Sequence, residues 1–74
     1  MVTAYVLVKF APDVDTAKAQ HALQYPEIKS LEMVLGPFDA IVRCETPDLA
    51  SLGELAKRIR GCPGLSESMT CVVV

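Results

Sequence analysis

Two short stretches of the sequence gather polar side chains that could take part in binding. Gly36-Pro37-Phe38-Asp39 predicts a tight turn with a carboxylate at its exit, and Ser66, Ser68 and Thr70 recur at strand spacing. Period two places these three hydroxyls on one face of a strand. Both patterns also have a structural interpretation, because an Asp after a turn often accepts from nearby backbone and hydroxyl residues are ordinary strand formers. The chemistry they offer is hydrogen bonding.

No catalytic set accompanies these groups. His21 is the only histidine, and it lies on a predicted helix without an evident partner. Asp13 and Asp15 resemble paired carboxylates, but they precede that helix, where an Asp caps the first turn. The glycines lack the spacing of a phosphate-binding loop. The sequence therefore predicts neither a catalytic residue nor an enzyme.

Length and composition limit the chain to one small domain spanning residues 1–74. Hydrophobic residues make up 51% of its 74 residues and charged residues 22%, which excludes a disordered chain. The net charge is −2, so the chain lacks the basic surface that a nucleic-acid module needs. A chain this short usually requires disulfides, a metal or another copy of itself to be stable.

The cysteines favour neither disulfides nor a metal site. Cys44, Cys62 and Cys71 are odd in number and include no C-x-x-C pair. Free thiols used for packing fit a reducing compartment, and the N-terminus has no signal-peptide pattern. No apolar run approaches the roughly 18 residues of a membrane span. We therefore expect a cytoplasmic protein that uses no cofactor and gains stability by self-association.

Hydrophobic periodicity and turn residues predict the order strand, helix, strand, strand, helix, strand. This order is that of a ferredoxin-like α+β sandwich, with an antiparallel four-stranded sheet and both helices on one face. Asp13 or Asp15 caps the first helix, Thr46 or Asp48 caps the second, and Gly61 is expected just past its end. The predicted ranges are 2–10, about 15–25, 28–35, 38–45, about 48–60 and 65–74.

The first strand is apolar on both of its faces. Val2, Ala4, Val6 and Val8 point one way, and Tyr5 and Leu7 point the other. The second strand repeats this pattern, with its apolar residues divided between Leu31, Met33 and Leu35 on one side and Ile28 and Val34 on the other. Helices can cover only one face of the sheet, so the other would be a large exposed apolar patch. We expect a second protomer to cover it, sheet against sheet.

The whole chain resembles the C-terminal effector domain of the Lrp/AsnC regulators, also called the RAM domain. The resemblance is carried by Pro26-Glu27-Ile28 at the start of the second strand, by Gly36-Pro37-Phe38-Asp39-Ala40-Ile41-Val42 across the hairpin, and by Pro63-Gly64-Leu65-x-x-Ser68-x-Thr70. The two motifs at this separation are fairly specific together.

The resemblance implies a homodimer, a dimeric α/β barrel, that assembles into a ring-like octamer or decamer. It also implies that an amino-acid effector binds between dimers. Asp39 would then accept from the ligand's ammonium, while the Gly36 turn and Ser68 or Thr70 would bind its carboxylate. Carried over by position, the candidate ligand-binding residues are Gly36, Phe38, Asp39, Ser68 and Thr70, with Met33, Pro37 and Ser66 as weaker neighbours.

The chain departs from the family pattern at its N-terminus, where full-length members carry a helix-turn-helix. The first predicted strand begins at about residue 2, so we expect a stand-alone effector domain without direct nucleic-acid binding. Such a domain would act by sensing an amino acid or by co-assembling with full-length Lrp/AsnC regulators.

Three alternatives stay open. Small dimeric α/β-barrel monooxygenases and isomerases share the element order, but their pocket lies between helices and sheet, whereas this chain offers only Arg43 and Glu45 near mid-sheet, with both able to lie at the rim. An ACT-type amino-acid module has the same order with another sheet arrangement. A purely structural oligomerisation domain would bind no ligand.

Overall fold

The computed structural model describes residues 1–74 and gives the order β-α-β-β-α-β. The elements are β1 (Val2–Phe10), α1 (Thr16–Ala22), β2 (Ile28–Met33), β3 (Ala40–Thr46), α2 (Leu49–Arg60) and β4 (Leu65–Val72). Neither helix has the length and apolar character that a membrane crossing requires.

The four strands form one antiparallel sheet in the order β2-β3-β1-β4. β1 and β3 are the inner strands, and β2 and β4 are the edges. Residues from both helices join the inner strands in a single core cluster, so the helices lie on one side of the sheet. The expected ferredoxin-like sandwich is confirmed.

The two faces of the sheet follow the predicted alternation in β1. One face, called here the covered face, packs against the helices and includes Ala4, Val6 and Val8, which are at most 1% exposed. Across β3, Val42 and Cys44 lie on the same face. Leu23, Leu55 and Ile59 from the helix layer complete this side of the core. The covered face alone therefore accounts for the protein's buried apolar core.

The second face, called here the open face, is not covered by the helices. It is formed by the intervening positions of the strands, and by register it comprises Thr3, Tyr5, Leu7, Lys9, Ser30, Glu32, Ile41, Arg43, Glu45, Glu67, Met69 and Cys71. Tyr5 is 39% exposed and Met69 49% exposed. The predicted apolar second face is present on β1, where Tyr5 and Leu7 lie. It does not extend to β2, which contributes Ser30 and Glu32, and charged side chains also lie on this face.

Local side-chain bonds decide where the helices begin. The Asp15 carboxylate accepts from the backbone N–H groups of Ala17 and Lys18, and Asp48 accepts from Ser51 at 2.7 Å. Each Asp thereby satisfies donors that the first helical turn leaves free. Thr46, the alternative cap, instead donates its hydroxyl to the Asp48 carbonyl. The first helix ends at Ala22 rather than near Tyr25.

Two predicted features of the second strand are wrong. A bulge between Ile28 and Ser30 turns Ile28 to the covered face, where it pairs with Cys44 and packs on the core together with Leu31. One extra residue in a strand reverses the alternation beyond it. The strand also ends at Met33, so residues 34–39 connect it to β3 rather than a Gly-Pro pair alone.

Of the two glycines that follow the second helix, Gly64 and not Gly61 has a positive φ. Gly61 has φ −84°, so it is not the left-handed residue that often ends a helix. Gly64 has φ 88°, and a Cβ there would collide with Cγ2 of Val14. Its carbonyl accepts from Ala11 N–H at 2.8 Å. Gly64 is thus required where the chain enters β4 against the β1–α1 loop.

Candidate functional site

Asp39 is the best-fixed of the candidate ligand-binding residues. Its carboxylate Oδ2 accepts from Phe10 N–H at 2.9 Å, and its own N–H donates to the Val8 carbonyl at 2.9 Å. Its carbonyl accepts from Val34 N–H at 3.0 Å. These bonds tie the hairpin to the end of β1. Asp39 therefore accepts from backbone as an Asp after a turn often does, and the same bond fixes the position of its carboxylate.

The second carboxylate oxygen of Asp39 has no partner in the protomer. Only Oδ2 is hydrogen-bonded, and the one buried side-chain oxygen without a partner is Oε1 of Glu27. Oδ1 of Asp39 can therefore be reached from solvent. A carboxylate held by one oxygen and free at the other can accept from a charged donor without rearranging.

Asp39 faces a cleft of about 250 Å³ between the hairpin and the β1–α1 loop. We call it the Asp39 cleft, and its lining residues are Phe10, Ala11, Pro12, Val14, Thr16, Met33, Val34 and Asp39. Five of the eight are hydrophobic. Its volume is smaller than the roughly 300–1,000 Å³ of pockets for drug-sized ligands. The geometry suits a small molecule with one cationic and one apolar part.

The other candidates of the hairpin lie outside this cleft. Gly36 and Pro37 are exposed, Phe38 is half-buried, and none of them lines a cavity. A Cβ on Gly36 would meet no atom within 4 Å. Of the predicted residues here, the structure brings Asp39 and Met33 together.

The hydroxyls of β4 do not all share one face. Ser68 pairs with Val8 and Thr70 with Val6, so both lie on the covered face, half-buried at the sheet edge. Ser66 lies where the register shifts, and its hydroxyl donates to the Lys9 carbonyl at 3.2 Å. The bulge removes Ser66 from the predicted alternation. Ser66 and Ser68 instead line a recess of about 40 Å³ beside Arg60.

The two predicted halves of the site lie on opposite sides of β1. Asp39 donates to Val8 on the β3 side, and Ser68 pairs with Val8 on the β4 side. Two strand spacings separate them by about 10 Å. No cleft of the protomer is lined by both Asp39 and Ser68.

A second cleft of about 250 Å³, which no sequence pattern predicts, lies between α1 and β2. It is lined by Gln20, Leu23, Gln24, Ile28, Lys29, Ser30 and Leu31. It depends on the β2 bulge, which no turn residue signals. Its lining includes no carboxylate, so it offers no partner of opposite charge to an ammonium group. The Asp39 cleft is therefore the stronger candidate site.

A separate cluster fastens α2 to the segment before β2. Arg58 Nη2 donates to Glu27 Oε2 at 2.6 Å, and Cζ of Arg58 lies 5.0 Å from the centre of the Tyr25 ring. The bond from Arg58 holds the pKa of the Glu27 carboxyl below its usual value. A hydrogen bond with the Cys62 thiol, at 3.3 Å, and burial raise the pKa of Tyr25. These contacts are structural, and they stand apart from the Asp39 cleft.

Arg43 and Glu45 lie on the open face of the inner strand β3, Arg43 at the middle of the strand and Glu45 next to its end. They lie on an inner strand, opposite Tyr5 and Thr3, and their side chains form an ion pair at 3.0 Å. They point away from the helices, so they do not enter the space between helices and sheet where the enzyme alternative requires them. No three His, Cys, Asp or Glu side chains are grouped closely enough to hold a metal ion.

Comparison with known proteins decides the family. The model of the Lrp/AsnC ligand-binding domain matches residues 3–74. The chain belongs to the Lrp/AsnC ligand-binding domain family. The resemblance inferred from the hairpin and β4 motifs is thereby confirmed. No curated protein matched the chain.

Solved structures of the same fold agree with this assignment. The chain is 31% identical to FFRP-DM1, with full coverage of both chains and a TM-score of 0.87. It is also 31% identical to the hypothetical protein PHS023 from Pyrococcus horikoshii, covering all of this chain and 90% of that one, with a TM-score of 0.84. The transcriptional regulator NMB0573 of Neisseria meningitidis, solved as an L-Met complex, is 16% identical over 99% of this chain and 49% of its own, with a TM-score of 0.87. At that identity the likeness shows the fold alone.

Proposed function

We propose that this Lrp/AsnC ligand-binding domain is an amino-acid sensor whose ligand is held at the Asp39 cleft. The single observation that carries the proposal is the Asp39 carboxylate, fixed by Phe10 N–H through Oδ2 and free at Oδ1. An ammonium group needs such an acceptor, and a carboxylate that is already oriented loses little freedom when it binds.

The apolar lining of the cleft fits the other end of the ligand. Phe10, Val14, Met33 and Val34 surround the carboxylate. Met33 is 45% exposed and Val34 37% exposed, so a ligand that covers them also removes apolar surface from water. The L-Met found with the Neisseria regulator is an amino acid of this kind. We therefore expect an amino acid with an apolar side chain.

The ligand's carboxylate requires donors that the cleft does not supply on its own. Ser68 and Thr70 carry suitable hydroxyls, but they lie across β1 from Asp39. A ligand that uses both groups takes Asp39 from one copy and the hydroxyls from another. The exposed Gly36 turn is a second source of donors, through its backbone N–H groups. In this proposal the complete site forms between copies of the chain.

Binding would then act through assembly. The open face is covered by a second copy, sheet against sheet, and dimers join further into a ring. The ligand can shift this equilibrium only by binding the assembled state more tightly than the separate dimers. An effector of this kind regulates without catalysing a reaction.

A thermal-shift panel of the twenty amino acids at millimolar concentration tests the proposal. We expect at least one apolar amino acid to raise the melting temperature, because a ligand that binds only the folded state stabilises it. An Asp39→Asn variant should lose this response, since the amide oxygen can still accept from Phe10 N–H but carries no charge.

Asp13→Asn is the matched control, because Asp13 is exposed and makes no side-chain hydrogen bond. It should keep the full response. If all twenty amino acids leave the wild-type melting temperature unchanged, the sensing proposal is wrong. If Asp39→Asn keeps the response, the ligand lies elsewhere, and the α1–β2 cleft becomes the next candidate.

A further inference from the structure

An ion pair lies on the inner strand β3 of the open face. The other charged residues of this face, Lys9, Glu32 and Glu67, lie on the edge strands or near the end of β1. Arg43 Nη1 lies 3.0 Å from Glu45 Oε2, and both residues belong to the inner strand β3. The Arg43 side chain is 40% exposed and that of Glu45 27% exposed. Any partner that covers this face must therefore remove much of the water from both charges.

The pair has polar neighbours in Thr3 and Ser30, and apolar neighbours toward β1 and β4. Tyr5 lies opposite Arg43 on β1, and Leu7 and Ile41 are paired one step further along the same strands. Met69 and Cys71 extend this surface onto β4. Taking an ion pair out of water is costly unless the covering surface supplies further partners of opposite charge. A purely apolar partner would leave this cost without compensation.

The spacing of the two charges makes the face complementary to itself. Arg43 and Glu45 are two residues apart on one strand, so they project side by side along its axis. A two-fold axis that lies between the stacked sheets and perpendicular to β3 reverses the strand direction in the second copy. Arg43 of one copy can then face Glu45 of the other, and the reverse contact follows by symmetry.

We infer that the Arg43–Glu45 pair is the specificity element of the open face and selects a second copy of this chain as its partner. This inference rests on the sheet-to-sheet dimer of the proposed function. It adds that a domain of the same fold without a basic and an acidic residue at these two places is rejected. Contact area comes from Leu7, Tyr5 and Met69, whereas the ion pair determines which partner binds and how the two sheets are aligned.

Charge exchange tests the inference. Arg43→Glu and Glu45→Arg should each raise the dimer dissociation constant about 100-fold or more, because each places like charges face to face. An equimolar mixture of the two variants should form a heterodimer, since glutamates in one chain then face arginines in the other. Native mass spectrometry separates the three dimer species by mass.

The double variant R43E/E45R sharpens the test. It should dimerise as tightly as the wild type, because the charges have only changed places, but it should not mix with wild-type chains. Lys57→Glu and Glu54→Arg are matched controls, since they make the same charge changes in an exposed pair on α2. Both controls should dimerise like the wild type.

The outcomes separate this inference from the proposed dimer. If the wild type is dimeric and both single variants dimerise equally well, or if their mixture stays monomeric, the specificity role is overturned and the dimer stands. If the wild type is itself monomeric at micromolar concentration, the dimer of the proposed function fails, and this inference fails with it.

Discussion

The two faces of the sheet are built by the same strands, yet only one of them is covered within the chain. On the covered face, Val6 and Val42 pack against the helices and are at most 1% exposed. On the open face of the same strands and their neighbour β4, Tyr5 is 39% exposed and Met69 is 49% exposed. The helices cover the first face, whereas no part of the chain covers the second, which also carries charged side chains such as Arg43 and Glu45.

The covered face sets the fold, whereas in the proposed function the open face sets the assembly. A monomer stabilised by one face has little apolar burial to spare at this chain length. The charges follow the same division. The Arg58–Glu27 pair joins α2 to the segment before β2, whereas the Arg43–Glu45 pair lies on the open face. Substitutions on the two faces should therefore affect different measurements.

The largest effect is expected on the covered face. Leu55 is fully buried in the centre of α2. Leu55→Ala should lower the free energy of unfolding by about 2–5 kcal/mol, because it leaves a cavity that the surrounding core cannot fill. Urea unfolding followed by far-UV circular dichroism measures this loss, which should be similar at every protein concentration.

Leu7→Ala is the matched change on the open face. Leu7 lies one strand over from Met69 and opposite Ile41, and it is half-buried in the single chain. Its loss should act mainly on the part of the stability that rises with protein concentration. If Leu55→Ala and Leu7→Ala give the same concentration dependence, the division between the two faces is wrong.

The smallest effect is expected from pH. The folded state holds the pKa of Glu27 below its ordinary value through the bond from Arg58, so the unfolded chain binds the proton more readily. The resulting stabilisation is present above about pH 4.5 and is lost as pH falls through the lowered folded pKa. In the Glu27→Gln variant, the melting temperature should therefore fall less steeply as the pH is lowered below about 4.5 than it does in the wild type. An equally steep fall in both would show that this ion pair contributes nothing measurable.

Much of the fold could be predicted because β1 keeps an unbroken period of two. Ala4, Val6 and Val8 fall on one face by position alone, and the helices are bounded by Asp15, Asp48 and prolines. The bulge in β2 could not be predicted, since Lys29 carries no turn signal. The predicted connection between β2 and β3 is too short, because Gly36-Pro37 marks a turn without fixing its length. The backbone bonds of Asp39 determine that length.

The site could be predicted only in part for a related reason. Asp39 and Met33 flank one turn in the sequence, and both line the Asp39 cleft. Val14 and Pro12 were missed because the β1–α1 loop meets the hairpin only after the sheet and α1 are in place. The separation of Ser68 from Asp39 follows from the strand order β2-β3-β1-β4, which the hydroxyl spacing alone does not reveal.

Sedimentation equilibrium of the wild-type chain at micromolar concentration tests the central claim most directly. The claim is that a second copy covers the open face, so the mass should be at least twice the 8.0 kDa of one chain. A single species of 8.0 kDa across the concentration range would contradict it, because the open face would then stay in water.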